Sequence, residues 1–128
     1  MPDHLVRIIS ESGKIRGLAC DTTDLVEYAR KQHETDPTAT VALGRALTGG
    51  ILFGALQKIG HRVNLKFEGN GPLGKIVVEA DARGRVRGYT GQSSIAVASV
   101  DNRFDIASAI GHAGLLTVTK DIGMREPY

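Results

Sequence analysis

Residues 62–89 read RVNLKFEGNGPLGKIVVEADARGRVRGY, and no other stretch restricts the fold as strongly. Val63, Leu65 and Phe67 alternate with Asn64, Lys66 and Glu68, the period of a strand with one buried face. Ile76, Val78 and Ala80 repeat that alternation, and Val86 and Gly88 share one face of a third strand. The joins are Gly69-Asn70-Gly71-Pro72-Leu73-Gly74 and Ala82-Arg83-Gly84. Glycine and asparagine accept positive φ, and proline pre-sets a turn position. The pattern predicts a three-stranded antiparallel meander.

Around it the chain predicts further elements. His4 to Ser10 reads as a strand, Ser12-Gly13 as a turn, and Ile15 to Cys20 as a second strand. Asp21-Thr22-Thr23-Asp24 offers N-caps for a helix from Thr23 to Glu34, with Leu25, Val26 and Ala29 as its apolar stripe and Arg30, Lys31 and Glu34 toward water. Asp36-Pro37 opens a longer helix, with Asp as cap and Pro at the first position, expected to run to Ile59 and stop at Gly60. Ala42, Ala46, Gly50 and Gly54 recur every four residues along it. Such a smooth ridge lets another backbone approach closely, inside the fold or between subunits. Gln92 to Val100 reads as a loop or a weak strand. Asp101 to Ile110 can hold a short helix with Phe104, Ala107 and Ala109 or Ile110 on its apolar side, ended by Gly111-His112-Ala113-Gly114. Leu115 to Lys120 is a strand, and Ile122-Gly123 a turn. The fold class is α+β: a small antiparallel sheet packed on helices, one of them long and rich in small residues.

A chain of 128 residues, 41% hydrophobic, fits one domain. That size buries roughly two-thirds of the unfolded surface and needs no disulfide or metal staple. The net charge of +2 is not that of a nucleic-acid protein or a polybasic membrane binder. Between Pro37 and Lys58, Arg45 is the only charge, yet four glycines, several threonines and Gln57 interrupt the run. A buried helix is expected there rather than a membrane span. The N-terminus lacks the cationic, apolar and small-residue regions of a signal peptide, so none is expected. Cys20 is alone, and a chain without disulfides suits a reducing cytosol.

Catalytic chemistry is sparse. His4, His33, His61 and His112 are scattered, so no metal site is expected within the chain. Cys20 is expected to be structural; as a thiol nucleophile it would need a lowered pKa and an oxyanion site. Ser93-Ser94 lacks the pattern of a nucleophile elbow. Gly69-x-Gly71-x-x-Gly74 has dinucleotide-fingerprint spacing, but a strand follows it, leaving no helix N-terminus for a pyrophosphate. Arg83, Arg85 and Arg87 share parity with Tyr89, so a regular strand puts them on one face. A solvated outer face is the expected reading, and an RNA-touching stripe the alternative. No residue stands out as catalytic or cofactor-binding, and no substrate-binding residue can be assigned.

Gly69-Asn70-Gly71-Pro72-Leu73-Gly74, followed by Val78-Glu79-Ala80 and Val86-Arg87-Gly88-Tyr89, closely resembles the redox-regulated heat-shock chaperones of thirty-three kilodaltons. So does Ile110-Gly111-His112-Ala113-Gly114-Leu115-Leu116-Thr117-Val118-Thr119-Lys120-Asp121-Ile122-Gly123, running into Glu126-Pro127-Tyr128. Val6-Arg7, Arg16-Gly17 and Arg45-Ala46-Leu47-Thr48-Gly49-Gly50 extend the similarity over essentially the whole chain. The resemblance implies an ATP-independent, non-enzymatic holdase of the bacterial cytosol that binds unfolding proteins under oxidative and heat stress. It implies a core domain, then a linker and a C-terminal zinc domain. In that domain four cysteines in Cys-x-Cys and Cys-x-x-Cys pairs hold zinc when reduced and form disulfides when oxidised. Cys20 matches none of the four. Residues 1–128 therefore read as a truncated N-terminal core domain for client binding and dimerisation, with linker and zinc domain outside this chain. The expected partners are unfolded clients and a second copy, with strand exchange one route to a dimer. Neither nucleic acid nor membrane is expected as a partner.

Overall fold

The computed structural model describes residues 2–95, 99–100 and 103–123. In order, its elements are β1 (His4–Ile9), β2 (Arg16–Asp21), α1 (Thr23–His33), α2 (Pro37–Gly54), β3 (Arg62–Gly69), β4 (Lys75–Asp81), β5 (Val86–Thr90), β6 (Ser99–Val100), β7 (Arg103–Phe104), α3 (Ile106–Ile110) and β8 (Gly114–Asp121).

The meander forms as the alternation dictates. β3 pairs with β4 and β4 with β5, all antiparallel, with Leu65 opposite Val78 and Val78 opposite Gly88. A fourth strand joins it: β8 pairs antiparallel with β3, giving the order β5-β4-β3-β8. Val63, Leu65, Ile76, Val78 and Ala80 are buried on one face, against α2. Leu43, Leu47, Leu73, Val63 and Val78 are the largest side chains fully withdrawn from water. Burying a side chain of this kind contributes roughly 1.5–3 kcal/mol.

The small-residue ridge of α2 serves this contact. Ala42, Ala46, Gly50 and Gly54 are all buried. A Cβ on Gly54 would stand 2.7 Å from the carbonyl oxygen of Asp81. On β5, a Cβ on Gly88 would meet Val78 at 2.9 Å and Leu47 at 3.1 Å. Helix and sheet approach through glycine on both sides, so the ridge packs inside the fold rather than between subunits.

α2 starts as its sequence predicts: Asp36 accepts the Ala39 N–H at 2.8 Å and Pro37 opens the first turn. It ends at Gly54, five residues short of the expected Ile59. There the Leu56 and Gln57 N–H groups bond back to Phe53 and Gly54, tightening the last turn, and the Gln57 side chain also donates to the Phe53 carbonyl at 3.2 Å. Gly60, with φ of 90°, turns the chain after the helix has ended. α1 packs on α2 where Val26 lies over Gly44.

One other expectation needs correction. Of the expected helix over 101–110, residues 101–102 lie outside the described residues, Arg103–Phe104 form β7, paired with β6, and only Ile106–Ile110 are helical. Within α3, Ile106 and Ala109 are buried, whereas Ala107 is exposed. Residues 92–95 are loop and 99–100 form β6, while 96–98 and the terminal Glu126-Pro127-Tyr128 lie outside the described residues. The first two predicted strands form as β1 and β2, and they pair in a two-stranded sheet separate from the four-stranded one.

Candidate functional site

The two glycine-rich motifs meet. The loop 69–74 lies against the end of α3 and the start of β8. Asn70 N–H donates to Ala113 O, Gly71 N–H to Ile110 O and Leu73 N–H to Ala109 O, each at 3.0 Å. Asn70 Oδ1 accepts from Ala113 N–H at 3.3 Å. The remaining N–H groups of the loop, on Gly69 and Gly74, bond within it, and Pro72 has none. Every backbone donor of Gly69-x-Gly71-x-x-Gly74 is thus spent on a protein carbonyl, and none is left for a phosphate. Those of Gly71 and Leu73 satisfy carbonyls at the end of α3 that the helix leaves unpaired. A Cβ on Gly69, Gly71, Gly111 or Gly114 would collide with backbone atoms of the opposite segment. The two motifs are glycine-rich because they share one close backbone contact.

The arginine stripe is largely neutralised. Arg83 sits in the turn before β5, where its N–H and that of Arg85 donate to Asp81 at 2.9 and 3.1 Å. The Arg85 guanidinium pairs with Asp81 at 2.7 Å, and Arg87 with Glu79 at 2.8 Å. Glu79 also holds Arg62 at 3.1 Å, and Arg62 reaches Asp121 at 3.0 Å. The result is a lattice of alternating charge across all four strands of the outer face. Lys75 lies over the Tyr89 ring at 5.8 Å, so that ring already faces a cation. Of the three predicted arginines only Arg83 makes no ion pair among the described residues. This face gives little purchase to the nucleic-acid alternative.

Cys20 is half-buried on β2, opposite Leu5, beside Leu25 and Ile51. Burial pushes its thiol pKa up, and the carboxylates of Asp21 and Asp3 push it further the same way. That is the wrong direction for a thiolate nucleophile. Among the described residues no group of three or more His, Cys, Asp or Glu side chains is placed to hold a metal ion. No helix of the described residues is long and apolar enough to cross a membrane.

The surface does expose apolar side chains on two strands at the margins of the fold. On β8, Leu115 is 72% exposed and Leu116 56%. Leu116 and Val118 share the helix-side face of the sheet with Phe67 and Leu65, yet α2 packs mainly across β3, β4 and β5 and leaves them in water. On the β1–β2 hairpin, Ile8, Ile9 and Ile15 are 68%, 69% and 72% exposed, with Val6 beside them. The alternation reading missed both surfaces: period and hydropathy show that a strand is apolar, not whether a neighbour covers it.

A family model described as Hsp33 protein matches residues 3–128. The chain is 57% identical over 126 residues to the 33 kDa chaperonin of Geobacter sulfurreducens, covering 98% of this chain and 42% of that protein. It is 56% identical over 128 residues to the 33 kDa chaperonin of Citrifermentans bemidjiense, covering 100% of this chain and 43% of that one. The crystal structure of the 33 kDa chaperonin (heat shock protein 33 homolog) of Thermotoga maritima superposes with a TM-score of 0.90 at 33% identity, over 98% of this chain and 43% of that one. The chain thus spans about two-fifths of the length of the relatives it matches. With the interlocked glycine motifs and the family model agreeing over the same residues, the chain belongs to the Hsp33 protein family.

Proposed function

We propose that these 128 residues act as part of the core of a molecular chaperone, an ATP-independent holdase that binds unfolding proteins and keeps them from aggregating. The observation that carries this reading is the contrast between a closely packed interior and apolar strands left in water on the β1–β2 hairpin and β8. Exposed apolar area is the one thing a holdase needs, since each Å² removed from water contributes roughly 25 cal/mol to client capture. The groups that would argue for an enzyme point elsewhere: Cys20 is held as a thiol, and the glycine loop has spent its donors.

The reading extends to a non-enzymatic, stress-responsive protein of the cytosol, with unfolded clients and a second copy of itself as partners. Redox control belongs to the same proposal. The four zinc-binding cysteines implied by the resemblance would lie in the part of the relatives that this chain does not span. The test is light scattering from a heat-unfolded client, without nucleotide, at increasing ratios of this chain. Suppression of scattering supports the reading, and client aggregation unchanged at a several-fold molar excess removes it for this segment. Reading the coding DNA beyond codon 128 for Cys-x-Cys and Cys-x-x-Cys tests the switch separately.

A further inference from the structure

Among the described residues, the β1–β2 hairpin meets the rest of the molecule chiefly at its base and along β2. Asp3 accepts from the first turn of α1, and Leu5 and Cys20 line a cleft with Leu25 and Ile51. β2 leans on α2, whereas β1 packs chiefly on β2. Among the described residues, neither outer edge of the hairpin exchanges a backbone hydrogen bond with another element. The outer edge of β1 therefore presents a row of unpaired N–H and C=O groups.

Its side chains are apolar and cationic together. Val6, Ile8 and Ile9 are exposed, and Ile8 lies across Gly17 on the neighbouring strand, its Cγ1 3.1 Å from where a Cβ would be. Arg7, Lys14 and Arg16 are exposed, and none makes an ion pair among the described residues. Between Leu5 and Ala19 the only carboxylate is Glu11, at the tip. Ile9 sits on one face between Arg7 along its own strand and Arg16 across the pair.

We propose that the edge of β1 takes an extended apolar segment of an unfolding protein as a third strand, and that Arg7, Lys14 and Arg16 select segments flanked by carboxylates. The inference rests on the holdase reading and adds where the client sits and which client chemistry is preferred. A two-stranded hairpin in water is marginal, and a third strand supplies what it lacks. Main-chain hydrogen bonds hold the segment without demanding a sequence, as a protein with many clients requires. The unpaired cations add a preference that salt weakens.

The test uses the full 128-residue chain and two fluorescent peptides with the same apolar centre, one flanked by glutamates and one by lysines. Anisotropy should give about five- to tenfold tighter binding of the glutamate peptide at low salt, the size expected of two or three exposed ion pairs. Arg7→Glu, Lys14→Glu and Arg16→Glu together should reverse the preference. N-methylation of alternate amides along one edge of the glutamate peptide should abolish binding, because strand addition needs those donors. Equal binding of the two peptides, an unchanged preference in the triple variant, or full binding of the N-methylated peptide would each overturn the proposal. A dimer in sedimentation that excludes both peptides would overturn it too, giving the edge to a second copy. If the triple variant does not fold, the wild-type preference and the N-methylated peptide still decide. Client aggregation suppressed equally by wild type and triple variant, without peptide selectivity, leaves the holdase reading standing and removes only the hairpin. No suppression and no peptide binding removes both.

Discussion

The Asp3 carboxylate accepts the backbone N–H of Leu25 at 2.8 Å, with its other oxygen on Asp24 N–H at 3.0 Å. Helix α1 is thus capped by a residue more than twenty positions upstream, across the base of the hairpin. The local candidate, Thr22, occupies the N-cap position but makes no capping bond, because its hydroxyl is engaged with Thr48 on α2 at 2.8 Å. One carboxylate serves both as helix cap and as hairpin tether. Asp3→Ala is expected to cost about 1 kcal/mol, the usual range for losing an N-cap. Chemical denaturation measures that loss. Hydrogen exchange should show faster exchange at Asp24 and Leu25 before the centre of α1 is affected.

The interlocked loops make a second prediction. A Cβ on Gly71 would collide with Ala109 O and lie 2.7 Å from Gly111 N, while Gly84 has nothing within 4 Å of its would-be Cβ. Gly71→Ala should therefore cost about 1–3 kcal/mol by overpacking against backbone that cannot rotate away. Gly84→Ala pays only for its φ of 82°, roughly 1 kcal/mol. Equal losses in urea melts would mean that the loop contact is looser than this geometry.

Much of this was legible beforehand, and the rest for identifiable reasons was not. The meander, both long helices and the Asp36 cap follow from local rules of period and capping, which need no knowledge of partners. The pairing of β8 with β3 is non-local, and nothing in Leu115 to Lys120 says which strand it joins. The end of α2 at Gly54 was misplaced because Ala55, Leu56 and Gln57 are good helix formers, yet the turn tightens where Gly54 meets the β4 backbone. Parity shows that Arg83, Arg85 and Arg87 share one face, and they are exposed there as expected, but it does not show what they pair with. The carboxylates that pair with Arg85 and Arg87 come from β4, and parity along one strand cannot show those. The exposed strands were invisible for the same reason: burial belongs to neighbours, not to a residue alone.

Asp81 makes the pH behaviour predictable. Its side chain is only 13% exposed and sits at the turn between β4 and β5. Burial pushes its pKa up, but the Arg85 guanidinium and the N–H groups of Arg85 and Arg83 outweigh this and hold it below the usual value. A carboxyl whose folded pKa lies below its unfolded one stabilises the fold above the unfolded value, about 3.9, and loses that contribution as pH falls through the folded value. Asp81→Asn should cost about 1–2 kcal/mol at pH 7, as expected for losing charge-assisted hydrogen bonds. The gap between variant and wild type should close as pH drops below about 4. Melting curves at pH 7, 5 and 3 measure it, and a gap that widens in acid contradicts the assignment.

The last prediction concerns β8, which among the described residues is an edge strand of the four-stranded sheet. Antiparallel pairing of two β8 strands centred on Thr117 would set Leu116 of each copy opposite Val118 of the other, on the same face. Both residues are exposed in the single chain, so such pairing would cover apolar area that α2 does not reach. Leu116→Lys places a charge at that position, a common device by which proteins protect open edges. Because Leu116 is 56% exposed, its replacement should change stability by no more than about 0.5 kcal/mol. By contrast, Leu47→Ala, at a position 1% exposed, should cost about 2–5 kcal/mol. Sedimentation velocity over a range of concentrations should show wild type associating and Leu116→Lys remaining a monomer. Association of equal strength in both would move the contact to another surface, with the β1 edge next to be tested.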